Sequence, residues 1–241
     1  MRAAALLLTL LLGACTEFWR GTWFGPDGPP VYPVGPTAPG QHRVEAGETL
    51  YSIAFRNQMD VRLLAQWNSI GPDNLIKPGQ VLRLTEPPGG MRPRVEGAPS
   101  EDIRTTPKRE PPPAPEQRAN LRWQWPVGGP VLKRFSEKSG AKGMDIGGEP
   151  GAAVLAVAPG RVVYSGSGLR GYGELVIIKH DDVYLSAYGY NRSRLVKEGD
   201  KVRGGQLIAE VGLGPEQKPM LHFEIRERGQ PINPEKLLPK R

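Results

Sequence analysis

The chain has 241 residues, 26 of them proline and 31 glycine, unevenly spread; this excludes one compact body and points to small folded units on extended linkers. A formal charge of +7 at pH 7 suits an anionic partner such as an acidic wall polymer or lipid headgroups. No nucleic-acid-binding motif accompanies the charge, so nucleic acid is not expected as a partner.

At the N-terminus, Arg2 precedes an apolar run from Ala3 to Leu12 that only Thr9 interrupts. A bilayer span needs about 20 apolar residues, so the run is too short for one and suits the core of a secretory signal over residues 1–14. The single cysteine, Cys15, follows Leu12-Gly13-Ala14. This stretch resembles the lipobox of bacterial lipoproteins, which implies that Cys15 is lipidated. Thr16 rather than Asp after it implies an outer-membrane address, with the protein facing the periplasm. Each buried methylene of an acyl chain adds about 0.8 kcal/mol, so several chains anchor firmly. Residues 15–40 carry proline or glycine at every second or third position of "FGPDGPPVYPVGPTAPG" and read as a tether, since neither helix nor sheet ladder tolerates that spacing.

Over residues 41–85 the pattern becomes strand, helix, helix, strand. Leu50, Ile53 and Ala54 recur at helical spacing behind Thr49 as cap; Val61, Leu64 and Ala65 do so behind Asp60. Pro78-Gly79 then turns the chain into a short strand beginning at Val81. "VEAGETLYSIA", "LAQWNSI" and "IKPGQVLRL" resemble the LysM domain. The resemblance implies binding of N-acetylglucosamine in peptidoglycan by two loops, here Gly47, Glu48 and Thr49, then Ile70, Asn74, Leu75 and Ile76. Gly47 and Thr49 also suit purely structural roles, a turn and a helix cap, and the two uses are compatible. Residues 86–122 form a second, disordered linker rich in proline and in charges of both signs, able to reach on the order of 100 Å if extended.

From residue 123 to 241, short apolar runs alternate with glycine turns and no long helical stretch intervenes, which predicts a mainly β domain. "KGMDIGGEPGAAVLAVAPGRVVYSG", "GYGELVIIKH", "VKEGDKVRGGQLIAEVG" and "LHFEIRERGQPINP" resemble the LytM, or lysostaphin-type, zinc peptidase domain, with its duplicated hybrid motif. The fold class is therefore multidomain: a small α+β LysM unit (βααβ) and a mainly β LytM unit on proline-rich linkers. Active members of that family hold zinc with a histidine four residues before an aspartate and with the last histidine of a His-x-His pair. Two further histidines assist catalysis.

Here the aspartate is Asp145 and the last histidine is His222, but Ala141, Tyr190 and Met220 stand at the other three histidine positions. Catalytic zinc generally takes three protein ligands and an open position for water; two candidates remain, so neither a metal nor a catalytic residue is expected and no cofactor is implied. Of the other histidines, His42 belongs to the LysM unit and His180 reads as a solvent-facing turn residue. Asp145 and His222 become vestigial metal positions, with Asp145 accepting local hydrogen bonds. Alternation in "MLHFEI" sends Leu221, Phe223 and Ile225 to the core and Met220, His222 and Glu224 to the opposite face. That face, with Lys142, Leu169, Arg170, Tyr172, Tyr188 and Tyr190 around it, is expected to bind a protein partner, since aromatic and arginine anchors are typical of interfaces. Met220 and Tyr190 as simple space filling remains an alternative.

Lipobox, tether, LysM and degenerate LytM unit, in that order, resemble murein hydrolase activators of the NlpD type. The resemblance implies activation of a periplasmic N-acetylmuramoyl-L-alanine amidase during daughter-cell separation. An active zinc endopeptidase cleaving wall crosslinks, or a purely structural wall-binding lipoprotein, are the competing readings.

Overall fold

The computed structural model describes residues 37–88 and 121–241, which fall within one compact unit, Gly35–Arg241. The expected signal segment, Cys15, most of the tether and almost all of the second linker lie outside the described residues.

The first folded segment runs β1 (Gln41–Arg43), α1 (Leu50–Arg56), α2 (Val61–Trp67) and β2 (Val81–Arg83). Thr49 starts α1 with a reciprocal cap: its hydroxyl accepts from the Ser52 amide at 3.1 Å, while its own amide donates to Ser52 Oγ at 3.0 Å. Asp60 caps α2 by accepting from the Arg62 amide. Each helix has only seven residues and would be marginal alone, so packing must hold it. Leu50, Ile53 and Ala54 of α1 meet Leu64 and Ala65 of α2 over Val44 and Leu82 in a single buried cluster. β1 and β2 pair antiparallel, His42 opposite Leu82, and Asn68 ties the end of α2 to β2 by accepting from the Arg83 amide at 2.6 Å.

The second segment is almost wholly strands: β3 (Val131–Lys133), β4 (Met144–Gly147), β5 (Ala153–Leu155), β6 (Gly160–Gly166), β7 (Glu174–Lys179), β8 (Tyr184–Arg194), β9 (Lys201–Val202), β10 (Leu207–Leu213), β11 (Pro219–Glu227) and β12 (Gln230–Ile232). They form one ten-stranded sheet ordered β3-β4-β11-β10-β8-β7-β6-β9, with β12 added to β11, β5 to β10, and a further pairing of β11 with β8. The long β8 is the hub, laddered to β7, β10 and β11. Leu221, Phe223 and Ile225 on β11 are all fully buried and join Met144, Ile146, Val176, Ile178 and Tyr188 in the core.

The two segments touch. Phe55 of α1 is 1% exposed, yet it belongs to a cluster with Tyr164, Leu169, Leu175, Ile177 and Ala187 rather than to its own segment's core. Thr49 Oγ1 donates to the Val163 carbonyl at 3.3 Å, and Gln230 Nε2 to the Gln58 carbonyl at 2.6 Å. The turn between β11 and β12 comes so close to the LysM segment that a Cβ on Gly229 would lie 2.1 Å from the Met59 carbonyl oxygen. Gly229 also holds φ +82°, so both space and backbone demand glycine there.

Candidate functional site

Strand register assembles the groove. His222 on β11 stands directly opposite Asp145 on β4 and opposite Gly189 on β8. One strand position away, Phe223 stands opposite Tyr188. Cross-strand neighbours share a face, so Tyr188 follows Phe223 into the core rather than His222 onto the groove. Tyr188 is fully buried; its hydroxyl accepts from the Val157 amide at 2.9 Å and lies 2.9 Å from Ser186 Oγ. The expectation that Tyr188 lines a partner groove is thus corrected. Tyr190 would follow by alternation, but its backbone sits at φ +61°, a strained region for a bulky residue, and this turns its ring to within 5.6 Å of the His222 ring. Its amide donates to the Tyr172 carbonyl at 2.7 Å, which holds the turn in place.

Asp145 and His222 are joined, Nδ1 to Oδ1 at 2.7 Å, and the other ring nitrogen meets Glu224 Oε1 at 3.1 Å. Burial alone would lower the His222 pKa, but the bonds to the two carboxylates outweigh it and push it up to about 9. Both ring nitrogens are thus engaged by carboxylates. Glu224 is fully buried, where desolvation would raise its pKa; bonds from His222 and Arg226 hold it below the usual carboxylate range instead. Arg226, 1% exposed, donates to Glu224 from Nε at 2.8 Å, and Tyr172 donates its hydroxyl to Glu224 at 2.8 Å. Burial, then the charge of Glu224, raises the Tyr172 hydroxyl well above its ordinary pKa, so it stays a donor. Glu224 thus closes the floor of the groove on one side instead of lining it openly.

These residues do not fit zinc. Catalytic zinc generally takes three protein ligands; Asp145 and His222 supply two and bond each other, while Ala141, in an isolated bridge with Ser136, has no side-chain donor atom. Met220 and Tyr190 lie together against the Gly214 backbone, where a Cβ would meet Met220 Sδ at 2.8 Å and Tyr190 Cδ2 at 3.0 Å. Among the described residues no cluster of three or more His, Cys, Asp or Glu is arranged to hold a metal ion.

Of the remaining groove candidates, Arg170 is exposed and Lys142, Tyr172 and Tyr190 are half-buried, whereas Met220 is 7% exposed. Leu169, expected beside them, is 5% exposed and packs in the Phe55 cluster under the LysM segment, a second correction. His180 is not a solvent-facing turn residue either: Nδ1 lies 2.8 Å from the Pro159 carbonyl and Nε2 2.7 Å from Ser186 Oγ.

In the LysM segment, Gly47 turns the chain at φ +80° with open space beside it. Glu48 is committed to that turn, accepting from the Glu45 amide at 2.8 Å while pairing with His42 and Arg56. Ile70 and Ile76 pack against the segment's own core, and Leu75 is 74% exposed. Ile70 and Asn74 line a cleft of about 350 Å³ with Tyr51 and Gln66; Lys179 and Asp182 of the β domain close its far side. Gly47, Glu48 and Thr49 lie outside its lining.

A mainly β domain with this site, preceded by a βααβ unit, defines a LysM protein carrying a peptidase-type domain. The family models agree in extent: LysM domain over residues 42–85 and peptidase family M23 over residues 139–234. The chain is 41% identical to "Lipoprotein NlpD/LppB homolog" of Pseudomonas aeruginosa, across 86% of this chain and 79% of that protein. It belongs to the NlpD/LppB lipoprotein family. It is 37% identical to "Uncharacterized lipoprotein YgeR" of Escherichia coli, across 82% of this chain and 80% of that one. With "Murein hydrolase activator NlpD" of Escherichia coli the identity is 50%, over 49% of this chain and only 32% of the longer protein. Among solved structures, a zinc-containing peptidase from Vibrio cholerae superposes with a TM-score of 0.43 at 28% identity, over 47% of this chain and 39% of that one, a likeness too partial to bear on the site.

Sequence reasoning missed Glu224 and Arg226 as a buried ladder below His222, and Phe55 as a contact between domains. The first signal was present, since alternation in "HFEIRE" puts all three side chains on one face. The second was an aromatic residue lying off the apolar stripe of α1.

Proposed function

We propose that this chain is a wall-bound, non-hydrolytic activator of a periplasmic N-acetylmuramoyl-L-alanine amidase, anchored to the outer membrane through Cys15. The observation that carries the reading is the donor set: Ala141 has no side-chain ligand atom, Tyr190 and Met220 stand at the two assisting positions, and the two ligand-type residues that remain, Asp145 and His222, bond each other. The name of the Escherichia coli relative, a murein hydrolase activator 50% identical over 49% of this chain, supports the same direction. The face around His222 offers what a protein partner needs in the rings of Tyr172 and Tyr190, with the exposed Arg170 and half-buried Lys142 close in sequence to Tyr172 and Asp145. The LysM segment anchors the chain to peptidoglycan, the cleft at Ile70 and Asn74 and the exposed Leu75 being suited to a sugar ring and its acetamido group.

Activation is a population shift. A partner held in a closed state opens only by the difference in affinity of the groove for its two states, and moving it from 1:99 to 99:1 takes about 5.5 kcal/mol. The test is turnover of purified cell wall by the amidase with and without the full chain. Stimulation that Tyr190→Glu or Arg170→Glu abolishes supports the groove as the contact. Release of crosslink fragments by the chain alone points to a peptidase instead, and no stimulation of any amidase leaves a structural tether.

A further inference from the structure

On α1, Leu50, Ile53 and Ala54 form the stripe that enters the LysM core. At about 100° per residue, Phe55 lies some 200° around from Ile53, so an isolated LysM unit would leave this ring in water. In this chain it is almost fully buried, and all of its cluster partners come from the β domain. The contact is built rather than incidental. The Arg226 guanidinium stacks on the Phe55 ring at 3.4 Å from its centroid, and the same side chain donates to the Phe55 carbonyl at 2.5 Å. The ring also meets Tyr172 edge-on, centroids 5.5 Å apart.

Tyr172 is the link to the groove. Its far side meets His222 edge-on at 5.7 Å, its hydroxyl is fixed on Glu224, and its carbonyl holds the strained Tyr190 amide. Phe55 therefore braces one wall of the groove from behind, and Arg226 joins the same brace to the buried carboxylate beneath His222.

We infer that the LysM domain is a structural wall of the partner groove, docked through Phe55 so that Tyr172 stands over His222, and that the two domains engage the partner as one body. This rests on the reading of the groove as a protein-binding site. With the exposed Arg170 two residues before Tyr172 and the Tyr172 and Tyr190 rings against His222, the complementary partner segment is acidic with apolar side chains.

Phe55→Ala in the full chain is the test. The residue stands outside the LysM core, so the LysM unit keeps its fold, and unchanged amide protection at Ile53, Leu64 and Leu82 of that core is the control. Hydrogen exchange is expected to show lost protection around Tyr172–Ile177 and Phe223–Arg226, and the radius of gyration to rise as the domain undocks. The chain concentration giving half-maximal amidase activation is expected to rise tenfold or more, and Phe55→Met, which refills the pocket, to restore most of both effects. Unchanged exchange and radius overturn the docking. Undocking with activation held within twofold overturns the groove-wall role. A wild-type chain that activates nothing removes the functional reading and the partner half of this proposal, while the exchange measurement still decides the docking.

Discussion

Replacing Arg226 by methionine tests whether the buried ladder holds the β domain together. Glu224 is fully buried and receives a bond from Arg226 Nε at 2.8 Å, with Nη2 in ion-pair contact at 2.7 Å, besides its contacts with Tyr172 and His222. Removing one partner of such a pair typically costs about 3–5 kcal/mol, because the other charge stays in a dry site. His222 remains as a second cation on Glu224, which places the expected loss near the lower end, about 3 kcal/mol. In a domain of roughly 120 residues this corresponds to a midpoint lowered by about 10–15 °C. The assay is urea unfolding of the full chain, followed through Trp123 and Trp125, which pack against the β-domain core. Adding Glu224→Gln to Arg226→Met removes the orphaned charge while an amide still reaches Tyr172 and His222, and should recover about 2 kcal/mol. A loss below about 1 kcal/mol for Arg226→Met, or a double variant no more stable than the single, refutes the account.

Two further outcomes follow from the histidines. Burial pushes His180 down to about 4 from an ordinary 6.5, so the unfolded chain binds its proton first as the medium turns acid. Its contribution is whole above pH 6.5 and is lost as pH falls toward 4, up to about 3 kcal/mol at 1.36 kcal/mol per unit; His180→Gln should flatten the urea midpoint between pH 6.5 and 5, and an unchanged slope counts against it. Because both nitrogens of His222 are engaged and Ala141 offers no donor, equimolar zinc should leave the thermal midpoint within about 1 °C of that in chelator, and a zinc-dependent rise of several degrees would contradict the site as described.

The elements were largely legible because each was set by local chemistry. Thr49 and Asp60 cap where capping residues precede an apolar stripe, and the alternation of "LHFEI" sends Leu221, Phe223 and Ile225 to the core. The meeting of Asp145 with His222 was legible only through resemblance, since it depends on a β4–β11 register between residues 77 positions apart. Where sequence reasoning failed, a non-local term had overridden a local rule. "YGY" gives no sign that one tyrosine is core and the next is not; the Phe223–Tyr188 register and the left-handed backbone of Tyr190 decide it. Leu169 reads as a groove residue until the LysM helix is seen to cover it.

That covering also ties the face around His222 to the LysM segment. In a domain without Phe55, the polar ladder of His222, Glu224 and Arg226 would end at a surface open to water, and Arg226 could be solvated. Here Arg226 is sealed by an aromatic ring and a carbonyl from the LysM segment and is paired with Glu224, which also meets His222. Docking of the LysM unit and the placement of His222 are therefore parts of one polar network. Weakening Glu224 would orphan Arg226 beneath Phe55. A change at His222 or Glu224 thus reaches the contact with the LysM segment, which is why the two should respond together when either is altered.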